Sequence, residues 1–125
     1  MRILELDHFG IDVSDLDRAE QFYTNMLGLE VAQRFGRHQV VLRCGGQMLA
    51  LFARTDLPPR QTKHIENPLG KGHHAFKVAW EDFLAMRTRF DDHGVPTHGP
   101  IDWGDHDCLY FLDPDGNLLE IVAYR

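Results

Sequence analysis

The stretch HFGIDV at residues 8–13 decides the fold, because it returns as HHAFKV at residues 73–78. Both stretches follow one pattern: a histidine, any residue, a small residue, an apolar residue, any residue and a valine. The two copies are 65 positions apart (73 − 8). Each alternates with the period of two that is typical of a strand with one buried face. The chain therefore reads as two copies of one module, and each module opens with a strand that starts at a histidine.

The residues that follow each of these strands repeat as well. After the first strand, Ser14 and Asp15 are good helix caps, apolar residues recur at helical spacing, and Gly28 ends the helix. After the second strand, a similar run begins at Trp80 and ends at Gly94. The two glycines are 66 positions apart (94 − 28), so the register of the repeat holds to within one residue.

Each module ends in three predicted strands that turn signals separate. They are residues 29–35, 40–43 and 48–53 in the first module, and residues 95–101, 108–112 and 118–123 in the second. The tight turn before the last strand is DPDG at residues 113–116, where proline presets its φ and glycine permits a positive φ.

The predicted fold class is α+β, with two β-α-β-β-β modules at about residues 1–54 and 73–125. The linker between them, about residues 55–72, carries three prolines and reads as an exposed loop. A module of this size could hardly bury its sheet alone. We therefore expect the two modules to pair into one curved mixed sheet, with the helices outside, in a single domain of residues 1–125.

Composition excludes several classes of function. A formal net charge of −6 argues against a nucleic-acid partner, which needs a basic face. The longest apolar run is far too short to cross a membrane. The N-terminal residues lack the apolar core of a secretory signal, which predicts a cytoplasmic protein with Cys44 and Cys108 reduced.

The duplicated module, the histidines that open its strands and the closing DPDGNLLE at residues 113–120 resemble the vicinal oxygen chelate superfamily. This superfamily contains glyoxalases, bleomycin-resistance proteins, fosfomycin-resistance enzymes and extradiol dioxygenases. The resemblance covers almost the whole chain, with the linker the least matched part. It implies a metal-binding cavity between the modules, a small-molecule substrate and, since many single-chain relatives are homodimers, a homodimer.

Three residues are the predicted metal ligands: His8, His73 and Glu120. The repeat makes the two histidines equivalent, so a pseudo-twofold axis would turn both towards a common cavity. Glu120 lies among Leu118, Leu119, Ile121 and Val122, and a carboxylate in an apolar strand is costly to bury without a positive partner. An arginine could provide that charge, but two neutral imidazoles cannot. A divalent cation bound by all three side chains can.

The resemblance places these residues on three of the family's four metal positions, and Ala50 occupies the fourth. Glyoxalase I proteins usually have a carboxylate or a glutamine there. The remaining two histidines and one carboxylate leave one side of the ion open, which favours Fe(II) or Mn(II), with Zn(II) or Ni(II) as possible alternatives.

The leading hypothesis for the reaction is an extradiol-like dioxygenase. Such enzymes carry a tyrosine ten residues before the carboxylate ligand, and here that residue is Tyr110 (120 − 10). Packing in the cavity wall is an equally good interpretation of Tyr110. His106 is the candidate for proton transfer near neutral pH, although its spacing differs from that of the acid–base histidine in extradiol enzymes.

Two alternatives remain open. A glyoxalase-like lyase or isomerase, or a thiol transferase, would use the metal as a Lewis acid. Fosfomycin-type transferases place a threonine two residues after the first histidine, whereas this chain has Gly10, which counts against that subtype. A metal-free binding protein of the bleomycin-resistance kind would not be expected to retain His8, His73 and Glu120 together.

Overall fold

The first module consists of β1 (His8–Val13), α1 (Leu16–Asn25), β2 (Glu30–Phe35), β3 (Gln39–Cys44) and β4 (Gln47–Ala53). These strands form one four-stranded sheet in the order β1-β4-β3-β2. β1 runs parallel to β4, and the other neighbours are antiparallel. The carboxylate of Asp15 caps α1 by accepting a hydrogen bond from the backbone N–H of Arg18, as the sequence predicted.

The second module repeats this plan with β5 (His74–Lys77), α2 (Trp80–Asp92), β6 (Thr97–Asp102), β7 (His106–Leu112) and β8 (Leu118–Tyr124). Its sheet has the matching order β5-β8-β7-β6, again with the first and last strands parallel. α2 buries Phe83 and Phe90, and the ring of Phe90 stacks on that of Phe111 at 4.5 Å between centroids.

The computed structural model describes all 125 residues, and it divides them into two units, Met1–Pro58 and Pro59–Arg125. Each unit holds one module, and a short 3₁₀ helix at Lys63–Ile65 lies in the predicted linker. The α+β class and the two β-α-β-β-β modules are therefore confirmed. Neither helix is both long and apolar enough to cross a membrane.

Two details differ from the sequence predictions. The strands form two four-stranded sheets, one in each unit, where we expected them to join into one larger sheet. Within each unit the first strand pairs with the last strand of its own module, so each sheet is complete without the other. In addition, β7 begins at His106, two residues before the predicted start, because His106 and Asp107 pair with the end of β8.

The turn between β7 and β8 fixes the register of the strand that carries Glu120. Asp113 is 1% exposed, and its carboxylate accepts hydrogen bonds from the backbone N–H groups of Asp115 and Asn117 and from the Asn117 side chain. Gly116 has a φ of +85°, and a Cβ there would collide with the backbone of Gln61. The hydrogen bonds in this turn require the Asp113 carboxylate. The positive φ and the close approach of Gln61 require a glycine at residue 116.

Candidate metal centre

The register of the two sheets confirms that Ala50 and Glu120 are equivalent positions. In the first sheet, Gly10 lies opposite Ala50 across β1 and β4. In the second, Ala75 lies opposite Glu120 across β5 and β8. Gly10 and Ala75 each lie two positions after the histidine that opens the repeat.

Glu120 and His73 lie close together in the second unit. Glu120 is buried, with 8% of its surface exposed, and its Oε1 is 3.6 Å from Nε2 of His73. Nδ1 of His73 is 2.7 Å from the carbonyl oxygen of Lys71. Because a carbonyl oxygen can only accept, Nδ1 carries the proton, and in the neutral ring Nε2 turns its lone pair towards the carboxylate.

Nε2 of His73 and Oε1 of Glu120 are both acceptor atoms, and a positive charge nearby would stabilise their close approach. A separation of 3.6 Å is too long for a hydrogen bond. Ligand atoms that each lie about 2.1 Å from one ion can be at most about 4.2 Å apart, so His73 and Glu120 are close enough to share a cation. A proton on Nε2 is the other possible source of charge. The donor set and its spacing fit a divalent metal ion.

Tyr110 lies beside this pair. It is opposite Glu120 across β7 and β8, and its ring meets that of His73 edge-on at 5.3 Å between centroids. Burial raises the pKa of Tyr110 to about 12, and the negative charge and hydrogen bonding of Glu120 act in the same direction. The phenol therefore keeps its proton at neutral pH and serves as a hydrogen-bond donor.

His106 lies well away from this pair. It is four residues from Tyr110 along β7 (110 − 106), or about 14 Å at the rise of an antiparallel strand. Its Nδ1 is 2.6 Å from a carboxylate oxygen of Asp105, and its ring stacks against those of Trp103 and Tyr124. The structure does not bring His106 to His73 and Glu120, where we expected it to transfer protons.

His8 belongs to the first unit and is the first residue of β1. Its side chain is 58% exposed, and Nδ1 is 2.7 Å from a carboxylate oxygen of Asp7. In the neutral ring, Nδ1–H donates a hydrogen bond to that carboxylate, so Nε2 carries the lone pair, as in His73. Neither unit by itself brings three metal-ligating side chains together.

Asp7, which lies beside the predicted ligand His8, is a residue that the sequence analysis did not identify. Carboxylates commonly hold the outer nitrogen of a metal-binding histidine, where they fix the ring and raise its basicity. The adjacent pair Asp7-His8 is a usable sequence signal for this role. The repeat does not reveal it, because in the second copy the carbonyl of Lys71 accepts the hydrogen bond from the histidine instead.

A pocket of about 410 Å³ lies on the face of the first sheet that carries His8. Ala50 and Val41 form part of its wall, and Gln33 and Arg43 provide polar groups. Near the pocket, the ring of Phe52 covers Gly10, and a Cβ at residue 10 would be only 3.2 Å from that ring. A side chain at residue 10 would therefore require the Phe52 ring to shift by a few tenths of an ångström.

A family model described as the Glyoxalase/Bleomycin resistance protein/Dioxygenase superfamily matches residues 5–121. The chain belongs to this superfamily. The resemblance inferred from the repeat and from the closing motif is thereby confirmed.

Three curated relatives illustrate the range of this superfamily. Glutathione transferase FosA from Serratia marcescens is 34% identical over 119 residues, which cover 93% of this chain and 78% of the relative. Metallothiol transferase FosB from Staphylococcus epidermidis is 29% identical over 123 residues, covering 97% and 82%. Catechol-2,3-dioxygenase from Bacillus subtilis is 30% identical over 130 residues, covering 98% of this chain but 44% of the relative.

Proposed function

We propose that this protein is a metal-dependent transferase that joins a thiol to a small electrophilic, oxygen-bearing substrate. The observation that carries the proposal is the buried Glu120 carboxylate with the bare Nε2 of His73 at 3.6 Å. The names of FosA and FosB support a thiol as co-substrate, and that of FosB supports a metal. These relatives favour the thiol transferase over the dioxygenase that we ranked first from sequence.

In this proposal His73, Glu120 and His8 are the protein ligands of the metal. A divalent cation held by them would polarise a substrate oxygen as a Lewis acid. Two imidazoles and one carboxylate suit Mn(II) and Fe(II), and they are compatible with Zn(II) or Ni(II). Asp7 and the carbonyl of Lys71 hold the outer nitrogens of the two histidines, so both rings present Nε2 to the ion.

The chain's own groups orient the ligands and supply hydrogen bonds. Tyr110 keeps its phenol proton beside the Glu120 carboxylate, because burial and the charge of Glu120 raise its pKa to about 12, so it can donate a hydrogen bond at this site. In the reaction a sulfur–carbon bond forms and a carbon–oxygen bond breaks, with the electron pair moving to the freed oxygen. The thiol proton ends on that oxygen, so the transfer needs neither an oxidant nor a reductant.

The first test is the metal content of the protein purified without a histidine tag. We expect about one divalent ion per complete site in the wild type, with strong loss in His73→Ala and Glu120→Ala. His64→Ala is the matched control, because His64 is an exposed histidine of the 3₁₀ helix. If the wild type binds no metal after reconstitution, or if the control loses as much as the other variants, the proposed site is wrong.

Metal-loaded protein should then consume glutathione in the presence of small epoxides, and metal-free protein should not.

The extradiol dioxygenase is the second candidate, favoured by the position of Tyr110 opposite Glu120. It would instead consume oxygen with catechol and without a thiol. Isomerisation or cleavage of a hemithioacetal with no net thiol consumption would identify the lyase or isomerase alternative. Each of these outcomes would replace the transferase proposal.

A further inference from the structure

Equivalent rows of the two sheets differ in kind at two of their three positions. The row across β8, β7 and β6 is Glu120, Tyr110 and His98. The equivalent row across β4, β3 and β2 is Ala50, Val41 and Gln33. Small apolar residues therefore stand where the second module has a carboxylate and a phenol, and the pocket of about 410 Å³ lies over them.

The neighbouring row of the first sheet contains an arginine without a partner. It runs from His8 on β1 through Met48 on β4 to Arg43 on β3. All three line the pocket, and the guanidinium of Arg43 makes no hydrogen bond or ion pair in the structure. An exposed guanidinium on the wall of a pocket is a natural binding group for an oxyanion.

No nearby carboxylate forms an ion pair with Arg43. Asp7, the carboxylate in the pocket lining, is engaged by Nδ1 of His8. Glu30 lies opposite Arg43 across β2 and β3, but the two side chains form no ion pair and Glu30 is not part of the pocket wall. The other polar groups on this wall are the uncharged amides of Gln33 and Gln39. The wall therefore has a positive charge at Arg43 that no ion pair offsets, while the Asp7 carboxylate lies at the other end, beside His8.

We propose that Arg43 binds a carboxylate or phosphonate group of the substrate, while another oxygen of the same molecule lies at the metal held by His8. This inference rests on the proposed function. His8 and Arg43 are two strands apart, which is about 10 Å between their Cα atoms, and both side chains reach into the intervening space. The substrate is thus a small molecule with an apolar middle over Met48 and Val41 and oxygen groups at both ends.

The planar guanidinium of Arg43 favours an anionic group that has two oxygen acceptors. Its parallel N–H groups match the two oxygens of a carboxylate or phosphonate, whereas a lysine presents a single point charge. Arg43→Lys should therefore retain only part of the affinity for anions. Glu30→Gln removes the one carboxylate that could compete for Arg43 across the ladder, so this variant should bind anions more tightly.

Calorimetric titration of the full chain at low salt tests the proposal, with benzoate and phenylphosphonate as anionic probes and benzamide as a neutral isostere. We expect both anions to bind about tenfold more tightly than benzamide, and Arg43→Gln to remove that preference. Arg37→Gln is the matched control, since it removes the same charge from the turn between β2 and β3. Equal losses in both variants, or benzamide binding as well as benzoate, would overturn the proposal.

Metal content measured on the same samples separates this inference from the proposed function. Arg43→Gln should keep the full metal content of the wild type, because Arg43 is not a ligand. If anions bind through Arg43 but no metal binds, the proposed function fails while the anion site stands. If metal binds normally but anion affinity does not depend on Arg43, the anion site alone is refuted.

Discussion

Three histidines have the same local chemistry but different positions in the fold. His8 and His106 each pair Nδ1 with the carboxylate of the preceding aspartate, and His73 pairs Nδ1 with a backbone carbonyl. In all three neutral rings, Nε2 is free to bind a cation. His73 alone has a buried carboxylate within 3.6 Å of that nitrogen. A suitable tautomer is therefore necessary for a metal ligand but does not identify one.

The resemblance between His8 and His106 provides an internal control for the role of Asp7. Asp7→Asn removes the charge that holds His8, and we expect metal affinity to fall about 10- to 100-fold. Asp105→Asn makes the same change beside His106 and should leave metal affinity unchanged. Competition with a chromophoric chelator measures both. Equal affinities in the two variants would mean that Asp7 has no part in metal binding.

At the scale of the elements, the turn after β7 sets where Glu120 lies. Leu112 pairs with Leu118 on either side of this turn, and the same register puts Tyr110 opposite Glu120. A shift of one residue would turn Glu120 to the other face of the sheet. The hydrogen bonds to Asp113 therefore bear directly on the geometry of the candidate site.

Asp113→Ala should cost about 2–4 kcal/mol of the free energy of unfolding, because two backbone N–H groups lose their acceptor in a buried turn. Urea denaturation measures this loss. Asp91→Ala, at an exposed position of α2, should change the stability by less than about 0.5 kcal/mol. An Asp113→Ala protein as stable as this control would show that the turn does not depend on the Asp113 carboxylate.

The elements were predictable from sequence where their signals are local. Periodicity and helix caps predicted the order β-α-β-β-β in both modules, and DPDG at residues 113–116 predicted the last turn. The start of β7 was missed because it depends on pairing with β8, where the backbone N–H of Arg125 donates to the carbonyl of Asp105. The separation into two sheets was missed for the same reason, since partner choice between strands is not encoded in one strand's pattern. The distance between His106 and Glu120 could not be predicted either, because it depends on the register in which β7 pairs with β8.

At the scale of the whole molecule, the predicted ligands are divided between the units. His8 belongs to Met1–Pro58, and His73 and Glu120 belong to Pro59–Arg125. Neither unit by itself gathers three ligands. This division makes the origin of His8 an experimental question, because either the same chain or a partner subunit can provide it.

A homodimer with shared sites predicts complementation between two inactive variants. After His8→Ala and Glu120→Ala chains are mixed and exchanged, half of the dimers contain one of each, and one of their two sites has every ligand. We therefore expect about one quarter of the wild-type metal content, measured after desalting. No recovery, with exchange verified by native mass spectrometry, would place all three ligands in one chain.

The contrast between the row with Glu120 and Tyr110 and the row with Ala50 and Val41 has an evolutionary consequence. After a duplication, a half that carries essential ligands is constrained, because most changes there abolish activity. In the other half only His8 is a proposed ligand, so the strands β2, β3 and β4 can accept new side chains while the chemistry is retained. Descendants of such a chain can thus acquire new substrates by drift and selection in residues 30–52, without passing through an inactive ancestor.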